Sequence, residues 1–357
     1  MLKSIVYKLA YTLLVMWGVA SLVFCLFSIL PGDPSRMMLG QRDNEEMRLA
    51  IQKKYGFDKP VVEQYCYFIN DLSPLSLHGN NFNDFSNLSN HPYSVISSLC
   101  FDEFSIVLKT PYLRESFVRK GVSVSSIIAN TLPNTFILAI TAMFIAMVLG
   151  ISLGVFSAVH QHKFIDQFLS SIAVFGMALP SFFSAILIAW VFGYVYQEFT
   201  GLSMTGSLYE VDDYGRGEVL VLKNLILPAI TLGIRPLAVI MQLTRSSILD
   251  TLGEDYIRTA KAKGLSSFRI LFVHALPNAL NPVVTSASGW LASMLAGAVF
   301  VEFIFGWNGL GKEIVYALNY LDLPVVMGAV LTLSICFVVI TIFTDLLYYL
   351  LDPKIRG

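Results

Sequence analysis

The sequence predicts an all-α integral membrane protein of about six transmembrane helices, with a long extracytoplasmic segment after the first. Three observations predict it. Of 357 residues, 55% are apolar and only 14% charged, against about 45–50% and about 25% in soluble domains. A chain so poor in charge could not clothe its own surface in water. The apolar residues are bunched into long runs and not spread at core spacing. Wherever the loops between those runs are short, lysine and arginine collect on one side of them.

A spanning helix needs about 20 mostly apolar residues, at about 1.5 Å each against a hydrocarbon core of about 30 Å. Six runs meet this, at residues 10–30, 135–156, 168–194, 225–244, 282–303 and 325–350. Helices are expected because lipid cannot satisfy free backbone groups. Pro180 and Pro228 lie in or beside these runs, where proline is tolerated and can bend a helix. The first run follows Lys3 and Lys8 as a signal peptide would. It is too long for a signal core, and it closes on Pro31-Gly32-Asp33-Pro34 where a cleavage site would show small residues. It therefore reads as a retained helix.

Lys3, Lys8, Lys163, Arg258, Lys261, Lys263, Arg269, Lys354 and Arg356 share one side if the chain crosses six times. The opposite short loops hold Arg216, Lys223 and Lys312 beside Glu198, Glu210, Asp212, Asp213 and Glu218. Both termini are thus expected in the cytoplasm. The expected organisation is a first helix to residue 30, an extracytoplasmic segment 31–134, a five-helix core 135–350 carrying a cytoplasmic loop at 251–277, and a tail 351–357. In the external segment, Met47, Leu49, Ile51 and Tyr55 interleaved with charge predict a helix around 45–55. The Asn-, Ser- and Asp-rich tract 78–91 predicts an exposed loop. Cys66 and Cys100 share this segment and are candidates for a disulfide, whereas Cys25 and Cys336 read as small buried hydrophobes.

Several functions find no residues to carry them. A net charge of −1 leaves no surplus of cations for a nucleic acid. His160 and His162 lack the further ligands a metal needs. No nucleophile elbow, H-E-x-x-H helix or carboxylate pair is present, so no enzyme, cofactor or catalytic residue is expected. Nor does an internal repeat support an inverted-repeat carrier. A stand-alone channel or ion-coupled carrier would want intramembrane carboxylates, and the runs offer only Glu302 and Asp345, near their ends. Gly306-Trp307-Asn308-Gly309-Leu310-Gly311-Lys312 imitates a phosphate-binding loop, but Glu313 stands where a hydroxyl should meet Mg²⁺. The glycines are expected to make a tight turn.

The loop 251–277 is the informative stretch. Asp255 near its start and Lys261 and Lys263 near its end suit the dipole of a short helix. Gly264 is placed to end that helix in a left-handed conformation. Ser266 can cap a second helix that enters the membrane. Such a hairpin presents a rigid knob to something outside the membrane, or merely connects two spans.

This loop resembles the coupling loop of binding-protein-dependent ABC importer permeases, whose pattern is Glu-Ala-Ala, three residues, Gly, nine residues, Ile-x-Leu-Pro. Arg258, Thr259 and Ala260 fall on the Glu-Ala-Ala, Gly264 on the Gly, and Leu276 and Pro277 on the Leu-Pro, with His274 in place of Ile. The departures resemble the dipeptide, oligopeptide and nickel branch. So do Leu30-Pro31-Gly32-Asp33-Pro34, Gly56-Phe57-Asp58-Lys59-Pro60, Leu243-Thr244-Arg245-Ser246-Ser247, the 306–311 turn and Leu351-Asp352-Pro353-Lys354-Ile355-Arg356, in order along the chain. Only 73–109 is unmatched, and it reads as an insertion. The resemblance implies a type I ABC importer permease fold in a bacterial inner membrane. It implies a related second permease as a heterodimeric partner, two ATP-binding subunits that hydrolyse ATP, and an extracytoplasmic substrate-binding protein. Peptides are the expected cargo, with nickel, glutathione or another small solute as the alternative. Arg235, deep in the fourth run, and Glu302 are candidates for the translocation path, or else Arg235 pairs structurally with Glu302 or a partner's carboxylate.

Overall fold

A computed structural model of the chain describes residues 2–29, 35, 39, 44–81, 84–90, 92–212, 215 and 217–351. The strings at 30–34 and 352–356, with Asp213, Arg216 and the tail beyond residue 351, lie outside the described residues. Five described helices are long and apolar enough to cross a membrane, at Ala10–Ser28, Val124–Val159, Lys223–Leu252, Ser267–Phe305 and Leu323–Asp345. A helix pair, Phe164–Ala178 and Ser181–Val195, passes the same test with a bend of 109°. The chain divides into two compact units, Met1–Asn130 with Glu313–Ile335 and Thr131–Lys312 with Cys336–Gly357.

In the first unit, helix α1 (Leu2–Ile29) is followed by α2 (Glu45–Tyr55) and α3 (Val61–Leu72). Helix α2 forms where the interleaved pattern predicts it. The Asn44 side chain accepts the Glu46 N–H at its start, and Gly56 ends it at φ 73°. Pro60 then opens α3. Helix α3 lies on α1, where Ser21 and Tyr65 hydroxyls meet at 2.6 Å and Phe24 stacks on Phe68 at 5.5 Å. Phe68, Ala20 and Leu331 form one buried cluster with Val19, Ile69, Leu72 and Met327 packed around it.

The region 73–109, expected to be an insertion with an exposed polar tract, is an antiparallel sheet of β1 (Leu75–Gly79), β2 (Val95–Cys100) and β3 (Phe104–Lys109) in the order β1-β3-β2. His78 and Asn87 of the polar tract are buried, not exposed. His78 Nδ1 donates to Ser86 O at 2.6 Å and its Nε2 meets Ser76 Oγ at 2.8 Å. Burial lowers the His78 pKa against the Ser86 hydrogen bond. Beneath the sheet, Asp71 takes Arg114 at 2.9 Å and the Tyr93 hydroxyl at 2.8 Å. Lys109 Nζ donates to Asp71 O at 2.8 Å and lies over the Tyr93 ring at 4.3 Å. Burial brings Lys109 down to about 8 and pushes Tyr112 up to about 12. The cysteine expectations are corrected. Cys66 on α3 and Cys100 on β2 are free and exposed, carried on different elements, and Cys25 is exposed as well.

The second unit holds most of the remaining helices. Helix α4 (Val124–Val159) runs into it from the first unit, and α5 (Phe164–Ala178) and α6 (Ser181–Trp190) follow. The third run, read from sequence as one span, is therefore broken. Pro180 has no N–H to give and disfavours a helical residue before it, so Leu179 takes φ −71°, ψ 130° and the helix restarts at Ser181. A π-helical turn Val191–Val195 continues α6, and α7 (Gln197–Thr200) and a hairpin of β4 (Tyr209–Val211) and β5 (Glu218–Leu220) lead to α8 (Lys223–Leu252). After α8 come α9 (Asp255–Ala262), α10 (Ser267–Arg269), a π-helical turn Ile270–Ala275 and α11 (Leu276–Phe305). Helix α12 (Leu310–Asn319) and α13 (Leu323–Leu351) are the last described elements.

Candidate functional site: the loop hairpin and its supports

The hairpin at 251–277 is built from both kinds of residue the motif contains. Helix α9 buries Ile257 and Ala260 against Ile270 and Ala275, with Leu252 and Leu265 packed around them. Gly264 ends the turn after it at φ 76°, a conformation that costs a side-chained residue roughly 1 kcal/mol or more. Ser266 accepts the Arg269 N–H and starts α10. Tyr256 reaches across the hairpin, its hydroxyl accepting from Asn278 Nδ2 at 2.8 Å. Pro277 follows directly on the π-helical turn, within a continuous helical run Ser267–Phe305.

The six motif residues thus divide. Ala260 is buried, Gly264 shapes the turn, and Leu276 packs beside a cluster of Ala158, Ile248 and Ala279. Arg258 and Thr259 are exposed, Arg258 pairing with Asp255 at 3.1 Å at the surface. Around them stand exposed Lys261, Lys263 and Phe268, the last 72% exposed and tilted onto Phe272 with ring centroids 4.5 Å apart. The hairpin thus presents a bare aromatic among cations at its surface. Phe268 was not picked out from the sequence, where it is one apolar residue among many.

A second element missed by sequence supports this hairpin. Asp166, at 3% exposure in the first turn of α5, takes a bidentate pair from Arg245 of α8, at 2.6 and 2.8 Å. Ser157 Oγ donates to it at 2.5 Å and the His162 backbone N–H at 3.0 Å. The ends of α4, α5 and α8 are thereby tied at one point. The signal available was a carboxylate and an arginine each beside a span end.

The imitation phosphate loop is a turn wrapped round a carboxylate of its own chain. Glu302 Oε2 accepts the backbone N–H of Gly311 at 2.6 Å and of Lys312 at 3.2 Å. A Cβ at Gly309 would lie 2.4 Å from that carboxyl group, so only glycine lets the backbone close over it. Trp307 Nε1 donates to Asn134 O at 3.1 Å and Leu310 N to Thr135 Oγ1 at 2.8 Å, clamping the turn to α4. Glu302, expected on a path or in a pair with Arg235, accepts hydrogen bonds from this turn. The side chain is wholly enclosed, and its Oε2 is held by the backbone of the turn. Arg235 is exposed, twelve residues into α8.

Comparison with known proteins places this geometry. Residues 150–357 match the model of the binding-protein-dependent transport system inner membrane component family, and residues 1–90 match the model of that system's membrane-component N-terminal region. The chain belongs to this family. The permease is 32% identical to the dipeptide transport system permease protein DppB of Bacillus subtilis strain 168, over 98% of this chain and 96% of that one. It is 32% identical to the protein of the same name in Escherichia coli K12, over 100% and 99%, and to the di/tripeptide transport system permease protein DppB of Pseudomonas aeruginosa UCBPP-PA14, over the same shares. Among solved structures, the inward-facing MetNI methionine ABC transporter has a chain similar over 63% of this one and 96% of its own, with TM-score 0.49 and 18% identity. The chain is thus a multi-pass inner-membrane permease, and the hairpin at 251–277 falls within the family match.

Proposed function

We propose that this permease carries di- and oligopeptides as one of two permease subunits of an ATP-driven importer. The observation that carries the reading is its end-to-end correspondence with dipeptide permeases, at 32% identity over 98% of the chain or more. Its partners are a related second permease, two cytoplasmic ATP-binding subunits that perform the hydrolysis, and an extracytoplasmic binding protein. Both termini and the 251–277 hairpin face the cytoplasm. The knob of Arg258, Thr259, Lys261, Lys263 and Phe268 sits in a groove of one ATP-binding subunit. Because Ile257 and Ala260 pack with Leu252 of α8 and with Ile270 and Ala275 of the turn leading into α11, closure of the ATPase pair displaces helices and not merely a loop. The path alternates between its two openings as ATP and the loaded binding protein each favour one of them.

Arg235 contributes to the path. It lies about 15 Å along the span from Leu225, near mid-membrane, where a cation costs at least about 2.5–3.5 kcal/mol and seldom faces lipid. Its fork suits a peptide's terminal carboxylate. Uptake of labelled dipeptides by cells producing the complete system tests both statements. Uptake should require ATP and be competed by peptides, not by nickel or glutathione. Arg235→Met should lower uptake of free-carboxylate peptides more than of amidated ones. Equal loss of both would assign Arg235 a structural role, and competition by nickel or glutathione alone would overturn the peptide reading.

A further inference from the structure

The sheet at 75–109 is apolar outside and polar within. Leu75, Leu77, Leu99, Phe104 and Leu108 are between 42% and 66% exposed. The pairings Leu75↔Leu108, Leu77↔Ile106 and Leu99↔Ile106 put them on one face with Ile106. The other face carries Ser76, His78, Ser105, Val107 and Lys109, none more than 2% exposed, together with the exposed Ser98 and Cys100 of β2. Lys109 is the one Asp, Glu, Lys or Arg side chain in the three strands, and it points inward to Asp71 O. In water this arrangement is reversed from what burial favours. It suits a surface whose solvent is hydrocarbon.

The depth of the sheet agrees. The sheet is mounted on α3 through Asn70, whose side chain bonds both the N–H and the C=O of Leu77 at 2.8 Å. One half-turn earlier, Phe68 packs against Ala20 of α1 and Leu331 of α13. Ala20 lies eight residues before Ser28, where the apolar window of α1 closes, and Leu331 eight residues after Leu323, where that of α13 opens. Each count is about 12 Å along a helix, against about 15 Å for half a hydrocarbon core. Two independent spans therefore put Phe68, and the attachment of the sheet with it, below the lipid surface.

We propose that this sheet lies in the lipid at the boundary of one leaflet, its face of Leu75, Leu77, Leu99, Phe104, Ile106 and Leu108 against acyl chains. The occupant is lipid because α3 mounts the sheet beside Ala20 of α1 and Leu331 of α13, inside the apolar windows of both helices. The backbone is consistent with a tilt. Asn70 closes the outer edge of β1, so that edge can go deepest, while the open edge of β2 stays near headgroups and water. Asp102 and Glu103 at the β2–β3 turn then project into water. The inference rests on α1 and α13 being spans, and under the proposed orientation the leaflet is the outer one.

Nitroxide labels on the full chain in a phospholipid nanodisc test it, with all four native cysteines replaced by serine. Leu77→Cys and Leu108→Cys labels should collide with oxygen several-fold more than with a water-soluble nickel chelate, as Leu13→Cys on α1 should. An Asp102→Cys label should show the reverse. Labels at 77 and 108 as open to nickel as that at 102 would put the face in water, and labels shielded from both reagents would put it against protein. Either result overturns the proposal. Should those two variants misfold, Ser97→Cys removes no apolar side chain and should fall between positions 13 and 102; equality with 102 overturns the proposal too. If position 13 also reads as aqueous, the span assignment itself has failed.

Discussion

Asp166 shows what a single side chain contributes to this permease. Its carboxylate is enclosed and holds Arg245, Ser157 and the His162 N–H at once. Arg245→Met should therefore cost about 3–5 kcal/mol, because a buried carboxylate loses its counter-ion. Asp166→Asn should cost less, since Arg245 is 26% exposed and can turn to water. The pair of substitutions together should cost less than the two added. Thermal unfolding of the detergent-solubilised chain measures all three, and an Arg245→Met protein as stable as the parent would remove the pair from the account. None of this was legible in the sequence, because the partners are 79 residues apart and each resembles an ordinary charge beside a span. Gly264 was legible, because a left-handed cap needs glycine locally whatever the rest of the chain does. Glu302 was visible as a buried-looking acid but not as the centre of its own turn, since nothing in a sequence tells a loop built for phosphate from one built for a carboxylate.

At the scale of the element, the hairpin offers the sharpest test. Gly264→Val places a β-branched residue at φ 76°, with no atom within 4 Å of the new Cβ, so the cost is conformational and not a clash. Transport should fall at least about tenfold if the strain of roughly 1–2 kcal/mol is relieved by moving the knob. Protein level should stay near normal, and Gly264→Asn should retain more activity, because Asn tolerates this region. Undiminished uptake by a well-expressed Gly264→Val chain would end the coupling assignment. The sheet makes a different prediction. Folded Lys109 releases its proton at about 8, an unfolded lysine at about 10.4. Between those values the unfolded chain binds more protons, so stability should rise with pH from about 8 to about 10. Above about 10, Tyr112 reverses the trend, since folding holds its proton to about 12. Lys109→Met should abolish the rise, seen as melting temperature across pH 7 to 10. Helices were legible here through length and periodicity. The sheet was not read, although Leu75 and Leu77, and Phe104, Ile106 and Leu108, recur at strand period. The runs are only five and six residues long and flank a tract that reads as loop. Pro180 was visible, but whether it bends a span or breaks it depends on packing that no local rule supplies.

For the whole chain the question is parity. If the bent pair α5 and α6 turns back instead of crossing, every later loop changes sides and the two termini face opposite ways. Two contacts decide against that within the second unit. The start of α5 is bonded to the far end of α8 through Asp166 and Arg245, and the same end of α8 packs with the start of α11 around Ile248 and Ala279. After α6, the chain meets the opposite end of α11, where Gly206 N donates to Phe305 O at 2.9 Å and Asn308 N to Ser207 Oγ at 3.1 Å. Helix α11 is 30 residues, or about 45 Å, long. A chain that leaves one end of it at residue 166 and reaches the other at 206 has run the length of α11, which argues for a crossing. The charges agree, because crossing keeps Lys163 on the side of Arg258, Lys261, Lys263 and Arg269. In a cysteine-free chain produced without its partners, Lys163→Cys and Lys261→Cys should both resist an impermeant maleimide in intact cells and react once the membrane is opened. Asp102→Cys should react from outside. Opposite behaviour at 163 and 261 would make the pair re-entrant. Outside reactivity at both, with none at 102, would keep six crossings but invert the permease in the membrane.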